Sequence, residues 1–114
     1  MDKKDIIIYL ILGIIIISII LIILSLKGNG NTNEELAKCI GGNSKLYVQL
    51  GCGACEVQKE MFGENYKHLD TIDCAFERQE CLDQGITGTP TWIINTEKYK
   101  GVKTIDELKK LTGC

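Results

Sequence analysis

The sequence contains few of the residues that nucleic-acid and zinc-binding proteins use in numbers. Its 114 residues include one histidine, His68, and one proline, Pro90, and its 13 basic residues are scattered among 15 acidic ones. There is no basic block or stripe, so no nucleic-acid partner is expected. A single histidine leaves little besides cysteine for a zinc site, and His68 itself is expected at the surface.

Charge is also missing from one long segment near the start of the chain. Residues 6–26 read IIIYLILGIIIISIILIILSL, and 21 residues of helix extend about 32 Å, enough to cross a hydrocarbon core of about 30 Å. The run is longer than the apolar part of a cleaved signal peptide and lacks a small-residue cleavage site. It is too apolar on every face for a small domain to enclose. We therefore predict an uncleaved transmembrane signal anchor.

The charges that flank this segment predict its orientation. Lys3 and Lys4 precede the segment, whereas Lys27 is followed by an uncharged stretch rich in glycine and asparagine. The positive-inside rule then predicts a cytoplasmic tail at 1–5, a flexible tether at 27–33 and an extracytoplasmic domain at 34–114. The protein is therefore expected in the cell membrane as a single-pass protein.

All six cysteines lie in the part that follows the apolar segment, at positions 39, 52, 55, 74, 81 and 114. This density is typical of a small domain in an oxidising compartment or of a metal site. Cysteine content thus supports the extracytoplasmic placement independently of the flanking charges.

The pattern of the remaining residues predicts alternating helices and strands. Asn33 is expected to cap a first helix that Gly41 and Gly42 end, and Thr104 with Glu107 is expected to form a capping box. Helices are predicted at 34–40, from the cysteine pair through 62, at 74–84 and at 105–111, and strands at 45–50, 69–72, 91–95 and 98–102. This order predicts an α/β fold, a mixed sheet with helices on both faces. On the second helix, Val57, Met61 and Phe62 are predicted to face the core.

Cys52-Gly53-Ala54-Cys55 lies where a predicted strand meets a predicted helix. A spacing of three on the first helical turn brings both sulfurs to one side, near enough to bond. The free N–H groups and the positive end of the helix dipole favour a thiolate at Cys52. Cys52 is therefore predicted to be the nucleophile, and Cys55 the thiol that resolves a mixed disulfide.

With Gly88-Thr89-Pro90-Thr91-Trp92 downstream, this strand–CxxC–helix start resembles the thioredoxin superfamily. The resemblance implies a thioredoxin-like fold, a cis proline at Pro90 that faces the cysteine pair, and contact between Thr89 and the substrate backbone. It implies a thiol–disulfide oxidoreductase that needs no cofactor. Trp92 is expected in the core beneath the proline loop.

A narrower resemblance covers residues 34–112. GCGACEVQKEMFGE, the pair Cys74 and Cys81, and GITGTPTWIINTEKYKG are similar to the thioredoxin-like domain fused to bacterial vitamin K epoxide reductase homologues. It implies a domain that oxidises secreted protein thiols and passes electrons to a quinone-linked membrane oxidase on another polypeptide. Cys74 and Cys81 match that family's second cysteine pair, although their loop is short. Gly51 stands where family members commonly have an aromatic residue.

Several alternatives remain open at the level of sequence. Electrons can flow the other way, from a transmembrane carrier to other proteins' cysteines, and the cysteine pairs can form a metal-binding module instead. Cys52–Cys55 can be merely structural. Cys74–Cys81 is expected to be a structural disulfide, with a second relay pair as the alternative. Cys39 and Cys114 can pair with each other, stay free or bond another molecule.

Overall fold

In the computed structural model, residues 1–26 and 32–114 are described. The first helix, α1, spans Lys3–Leu26. The remaining elements are α2 (Glu34–Gly42), β1 (Ser44–Val48), α3 (Gly53–Phe62), a 3₁₀ helix (Gly63–His68), β2 (Thr71–Asp73), α4 (Arg78–Asp83), β3 (Thr91–Ile94), β4 (Glu97–Lys100) and α5 (Ile105–Thr112). The predicted order of helices and strands is confirmed.

Helix α1 is apolar from Ile6 onward, and its large apolar side chains between Ile6 and Leu24 are exposed. Its segment Lys3–Ser25 is the one helix in the described residues that is long and apolar enough to cross a membrane. Most of the predicted tether, 27–31, lies outside the described residues. Thr32, by contrast, is buried: its hydroxyl donates to the Met61 carbonyl at 3.1 Å, and its carbonyl accepts from Asn65 at 2.8 Å.

The four strands form one mixed sheet in the order β2-β1-β3-β4. Strand β1 is parallel to β2 and antiparallel to β3, and β3 pairs with β4 as an antiparallel hairpin. Successive side chains of a strand point to opposite faces of a sheet. Because Leu46 and Tyr47 are both buried, as are Thr91 and Trp92, both faces of the central strands are covered. The predicted mixed sheet with helices on both faces is therefore confirmed.

The main core lies on the Leu46 side of the sheet, where residues from three helices and two strands meet. Trp92 is fully buried and packs against Phe62, with ring centroids 6.1 Å apart. The core cluster consists of Ala37, Ile40, Leu46, Phe62, Leu69, Trp92, Ile94 and Leu108. The prediction that Trp92 belongs to the core is confirmed.

One core prediction was wrong. Val57 is 48% exposed, and the buried face of α3 consists of Cys55, Gln58 and Phe62. These three residues have the spacing of three and four that one helix face requires. The prediction placed Val57 in the core because its side chain is apolar, but the buried position one turn after Cys55 is occupied by Gln58.

The capping predictions were largely correct. Asn33 accepts from the Leu36 N–H at 2.7 Å, and Thr104 with Glu107 forms the expected capping box. Gly41 and Gly42, however, are the last two residues of α2, and its C-cap is Asn43. A Cβ at Gly41 would overlap the carbonyl oxygen of His68, so this glycine allows the helix to approach the 3₁₀ segment closely.

Segment boundaries differ from the prediction where turns take residues from strands and helices. Strand β1 ends at Val48, two residues early, and α4 starts four residues late because the stretch after Asp73 forms turns. The hairpin turns at Asn95 and Thr96, both at positive φ, so β4 begins at Glu97. His68 was expected at the surface, yet its side chain is only 18% exposed, because the 3₁₀ helix holds it against α2 beside Glu34.

Candidate redox site

Cys52 and Cys55 lie at the start of α3, directly after the loop that leaves β1. They form a disulfide with a Cα–Cα distance of 5.2 Å. Cys52 is the N-cap residue of α3, and its sulfur accepts from the Cys55 N–H at 3.1 Å. Cys55 is only 5% exposed, whereas Cys52 is partly exposed. An incoming thiolate therefore reaches Cys52 more readily than Cys55.

The loop before Cys52 explains the glycine at position 51. The Cys52 N–H donates to the Gln49 carbonyl at 3.1 Å, which closes a turn over Gln49–Cys52. Gly51 has φ +84°, a conformation that favours glycine. An aromatic residue at this position would be strained in the same turn.

The loop that carries Pro90 is the other segment that lies beside Cys52. The Thr89–Pro90 peptide bond is cis, as the resemblance implied. This loop brings the carbonyl oxygen of Thr89 to 3.6 Å from Cys52 Sγ. The structure thus brings together Cys52, Cys55, Thr89 and Pro90.

Cys74 and Cys81 form a second disulfide near this end of the sheet. Cys74 follows β2 directly and Cys81 lies in α4, with a Cα–Cα distance of 5.7 Å. Cys81 is buried and Cys74 is partly exposed. The bond attaches α4 to the end of β2.

The third disulfide joins Cys39 of α2 to Cys114, 75 residues later, with a Cα–Cα distance of 6.0 Å. All six cysteines are therefore paired in this form of the protein. Within residues 1–26 and 32–114, no cluster of three or more His, Cys, Asp or Glu side chains could hold a metal.

Two residues that support the site were missed by sequence reasoning. Asp73 accepts from the Leu50 N–H at 3.3 Å and the Ala75 N–H at 2.8 Å, so it joins the loops that follow β1 and β2. An aspartate that ends a strand and precedes a short loop is a known turn signal that could have identified it.

Gln58 is the second missed residue. Its side-chain oxygen accepts from Trp92 Nε1 at 3.0 Å and from the Lys103 N–H at 2.8 Å, and its nitrogen donates to the Lys103 carbonyl at 3.0 Å. This buried amide fixes α3, one turn below Cys55, to β3 and to the segment before α5. Its spacing of three from Cys55 could have identified it.

Comparison with known proteins shows similarity to a thiol–disulfide oxidoreductase over part of the chain. No protein-family model matches the chain. Over 79 residues it is 37% identical to thiol-disulfide oxidoreductase LTO1 of Arabidopsis thaliana, and this match covers 61% of the chain and 21% of that relative. The match thus spans about a fifth of the relative's length.

The structure is also similar to solved structures. The thioredoxin-like protein BC3987 is 29% identical, with a TM-score of 0.45 over 60% of this chain and 97% of that protein. Oxidised thioredoxin from Plasmodium falciparum is 19% identical, with a TM-score of 0.43 over 72% and 90%. The mixed sheet, the cysteine pair at the start of α3 and the facing cis proline are decisive. The domain has a thioredoxin-like fold.

This thioredoxin-like domain has one further feature near its cysteine pair. Leu50 and Phe76 are 71% and 76% exposed, and they lie on the loops that follow β1 and β2. Leu50 and Phe76 thus expose apolar surface close in sequence to Cys52 and Cys74, respectively.

Proposed function

We propose that this protein is a membrane-anchored thiol–disulfide oxidoreductase that oxidises secreted protein thiols through Cys52–Cys55. The observation that carries the proposal is the position of Cys52. Its sulfur caps the start of α3, is partly exposed and lies 3.6 Å from the Thr89 carbonyl oxygen. The N–H groups of the helix start stabilise a thiolate there, so Cys52 is a good leaving group when a disulfide to it is broken.

The reaction proceeds in two exchanges. A substrate thiolate attacks Cys52 Sγ, which forms a mixed disulfide and releases Cys55 as a thiolate. A second substrate thiolate then attacks the substrate sulfur of that mixed disulfide and releases Cys52. The substrate loses two electrons and two protons and gains a disulfide, and the cysteine pair becomes a dithiol.

A membrane partner is needed to reoxidise the dithiol. We propose that a quinone-linked, vitamin K epoxide reductase-like oxidase accepts these electrons, and this part rests on the sequence resemblance alone. Helix α1 would anchor the domain beside such a partner, with residues 1–5 in the cytoplasm and the thioredoxin-like domain outside. The charges that flank α1 support this orientation.

Trapping the mixed disulfide tests the proposal directly. In the Cys55→Ser variant of the full chain, the Cys52 thiolate should attack the disulfide of an already oxidised substrate and release the other substrate sulfur as a thiolate. Because no Cys55 thiol is present to displace the bound substrate, adducts at Cys52 should accumulate in membranes. Non-reducing electrophoresis and mass spectrometry would identify them. The Cys52→Ser/Cys55→Ser variant is the matched control and should trap nothing. Equal amounts of adduct in both variants would contradict a role for Cys52.

The role proposed for Cys74–Cys81 is structural, and the same method separates it from a relay. A Cys81→Ser variant with Cys52–Cys55 intact should show no partner attached at Cys74. A partner captured at Cys74 would instead assign this pair to electron transfer.

The direction of electron flow is tested by the reduction potential of Cys52–Cys55. The full chain in detergent micelles would be equilibrated in glutathione buffers and its thiols alkylated for mass analysis. A value of about -120 to -180 mV, the range of oxidants and isomerases, supports oxidation of secreted thiols. A value at or below about -270 mV would assign the domain to the reductive alternative, fed by a transmembrane carrier.

A further inference from the structure

A cavity of about 440 Å³ opens on the surface beside the redox site. Gln49 and Thr89 line its end nearest Cys52: Gln49 accepts from the Cys52 N–H, and the Thr89 carbonyl lies 3.6 Å from Cys52 Sγ. The Cys74–Cys81 disulfide and the first turn of α4 line the rest. We call this cavity the α4 groove. A chain segment lying in the groove leads directly to Cys52.

Among the described residues that line the α4 groove, Arg78 is the one that carries a charge. Arg78 lines the groove, is exposed and makes no ion pair in residues 1–26 or 32–114. Lys100 Nζ donates to the hydroxyl of Thr87, another lining residue, at 2.8 Å. No carboxylate lines the groove. The chain as a whole is slightly acidic, with a formal net charge of -2, so the basic lining of the groove is not simply the average charge of the protein.

Three carboxylates close to the groove in sequence accept hydrogen bonds from other groups, and a fourth, Glu77, is exposed, precedes Arg78 and does not line the groove. Asp73 accepts from two backbone N–H groups, Glu80 accepts from the Tyr47 hydroxyl at 3.1 Å, and Asp83 accepts from Gln79 at 2.8 Å. Arg78 therefore keeps its charge available for a ligand. Its planar guanidinium is suited to binding a carboxylate with two parallel hydrogen bonds.

We propose that the α4 groove selects its substrates, and that Arg78 recognises an acidic side chain close to the cysteine that reacts with Cys52. The inference rests on the proposed function, because it names the class of protein thiol which that reaction takes. The ligand is an extended, cysteine-containing protein segment with Asp or Glu within a few residues of the cysteine. Leu82 and Ile86, which also line the groove, offer apolar contact to the neighbouring side chain of the same segment.

The test uses dithiol peptides that differ in one charge. Each peptide carries Glu, Gln or Lys at one of the three positions on either side of a cysteine, in an otherwise uncharged background. The full chain in micelles oxidises them, and glutathione disulfide regenerates Cys52–Cys55. At one or more positions we expect kcat/KM for Glu to exceed that for Lys about fivefold, the upper range for a solvent-exposed ion pair. The effect should lie in KM and shrink at high salt.

Variants assign the preference to one residue. Arg78→Gln should reduce the Glu-to-Lys ratio to within twofold of one, and Arg78→Glu should invert it. Lys109→Gln, on α5 beside Cys114, removes the same charge far from the groove and should keep the wild-type ratio. Arg78 is exposed, so these variants are expected to fold, and urea midpoints equal to that of the unsubstituted chain verify it.

The outcomes separate the two proposals. Peptides that react without any charge preference, or a preference that persists in Arg78→Gln, would overturn the role of Arg78 while the oxidoreductase remains. If no peptide thiol exchanges with Cys52–Cys55 at all, the proposed function fails, and the groove assignment fails with it.

Discussion

The two ends of strand β1 each carry a disulfide, and the two bonds have opposite characters. After the strand, Cys52–Cys55 spans three positions within the start of one helix. Before the strand, the Cys39–Cys114 disulfide spans 75 positions and joins α2 to the segment after α5. Asn43, which directly precedes β1, has its Nδ2 3.8 Å from Cys39 Sγ and 3.9 Å from Cys114 Sγ.

This difference separates a bond suited to reaction from a bond suited to stability. A short loop constrains the unfolded chain little, so breaking Cys52–Cys55 costs the fold little. Reduction of Cys39–Cys114 releases nearly the whole domain from a covalent ring. The same chemical group therefore serves different purposes at the two ends of one strand, according to loop length and surroundings.

The largest expected effect separates the two bonds by activity. Cys52→Ser should reduce thiol–disulfide exchange at least about a hundredfold, because the remaining thiol at the start of α3, Cys55, is buried and has no partner with which to form the redox disulfide. Cys39→Ser/Cys114→Ser should keep the rate within twofold at a temperature where the domain stays folded. Oxidation of a dithiol peptide by the full chain measures both. Similar losses in the two variants would remove the distinction between the ends.

The second prediction concerns stability, for which loss of Cys39–Cys114 should have a larger effect than loss of Cys52–Cys55. In the chain-entropy description, loss of Cys39–Cys114 should lower the free energy of unfolding by about 4 kcal/mol, and loss of Cys52–Cys55 by about 1.5 kcal/mol. Urea unfolding of the full chain in micelles, followed by Trp92 fluorescence, measures both. Trp92 is the single tryptophan and is fully buried, so it reports the whole domain. A larger loss in the Cys52→Ser/Cys55→Ser variant would contradict the assignment.

The third prediction concerns the hydrogen bonds that stabilise the domain near Cys52–Cys55, where the disulfide closes only a short loop. Gln58→Leu removes the acceptor of Trp92 Nε1 and of the Lys103 N–H, so it should destabilise the domain by about 2–3 kcal/mol. Val57→Ala on the exposed face of the same helix is the control and should cost about 0.5 kcal/mol. Urea midpoints compare the two variants, and equal values would mean that the Gln58 network adds nothing.

Sequence reasoning identified the reactive end more completely than the supporting residues. The CxxC pair and the capping box at Thr104 each depend on a local motif, the cis Thr89–Pro90 bond was implied by the family resemblance, and the structure has all three features. Local motifs are determined by residues close in sequence, which is why the pattern of one chain suffices to predict them.

The missed features depend on contacts between residues far apart in sequence. Gln58 is buried because Trp92 and Lys103 satisfy its amide, and nothing near position 57 or 58 indicates those partners. Likewise, the Cys39–Cys114 bond could only be left open, because pairing over 75 positions depends on how α2 and α5 pack. Elimination among six cysteines does not determine a connectivity.

The smallest effect tests the middle of β1, between the two disulfides. Tyr47 donates to Glu80, which attaches β1 to the helix that holds Cys81. Burial, and then the hydrogen bond to Glu80, raises the pKa of Tyr47 to about 12. Because the folded pKa exceeds the unfolded value of about 10, its stabilisation is complete below pH 10 and is lost as pH rises towards 12.

Tyr47→Phe should therefore cost about 1 kcal/mol at neutral pH, and less as the pH rises above 10. Urea midpoints of both proteins between pH 8 and 11 measure the difference, and contributions from the other tyrosines cancel because both proteins contain them. Converging midpoints would support the link from Tyr47 to Glu80. A constant gap between the midpoints across this range would mean that the protonated Tyr47 hydroxyl and its hydrogen bond to Glu80 do not stabilise the attachment of β1 to α4.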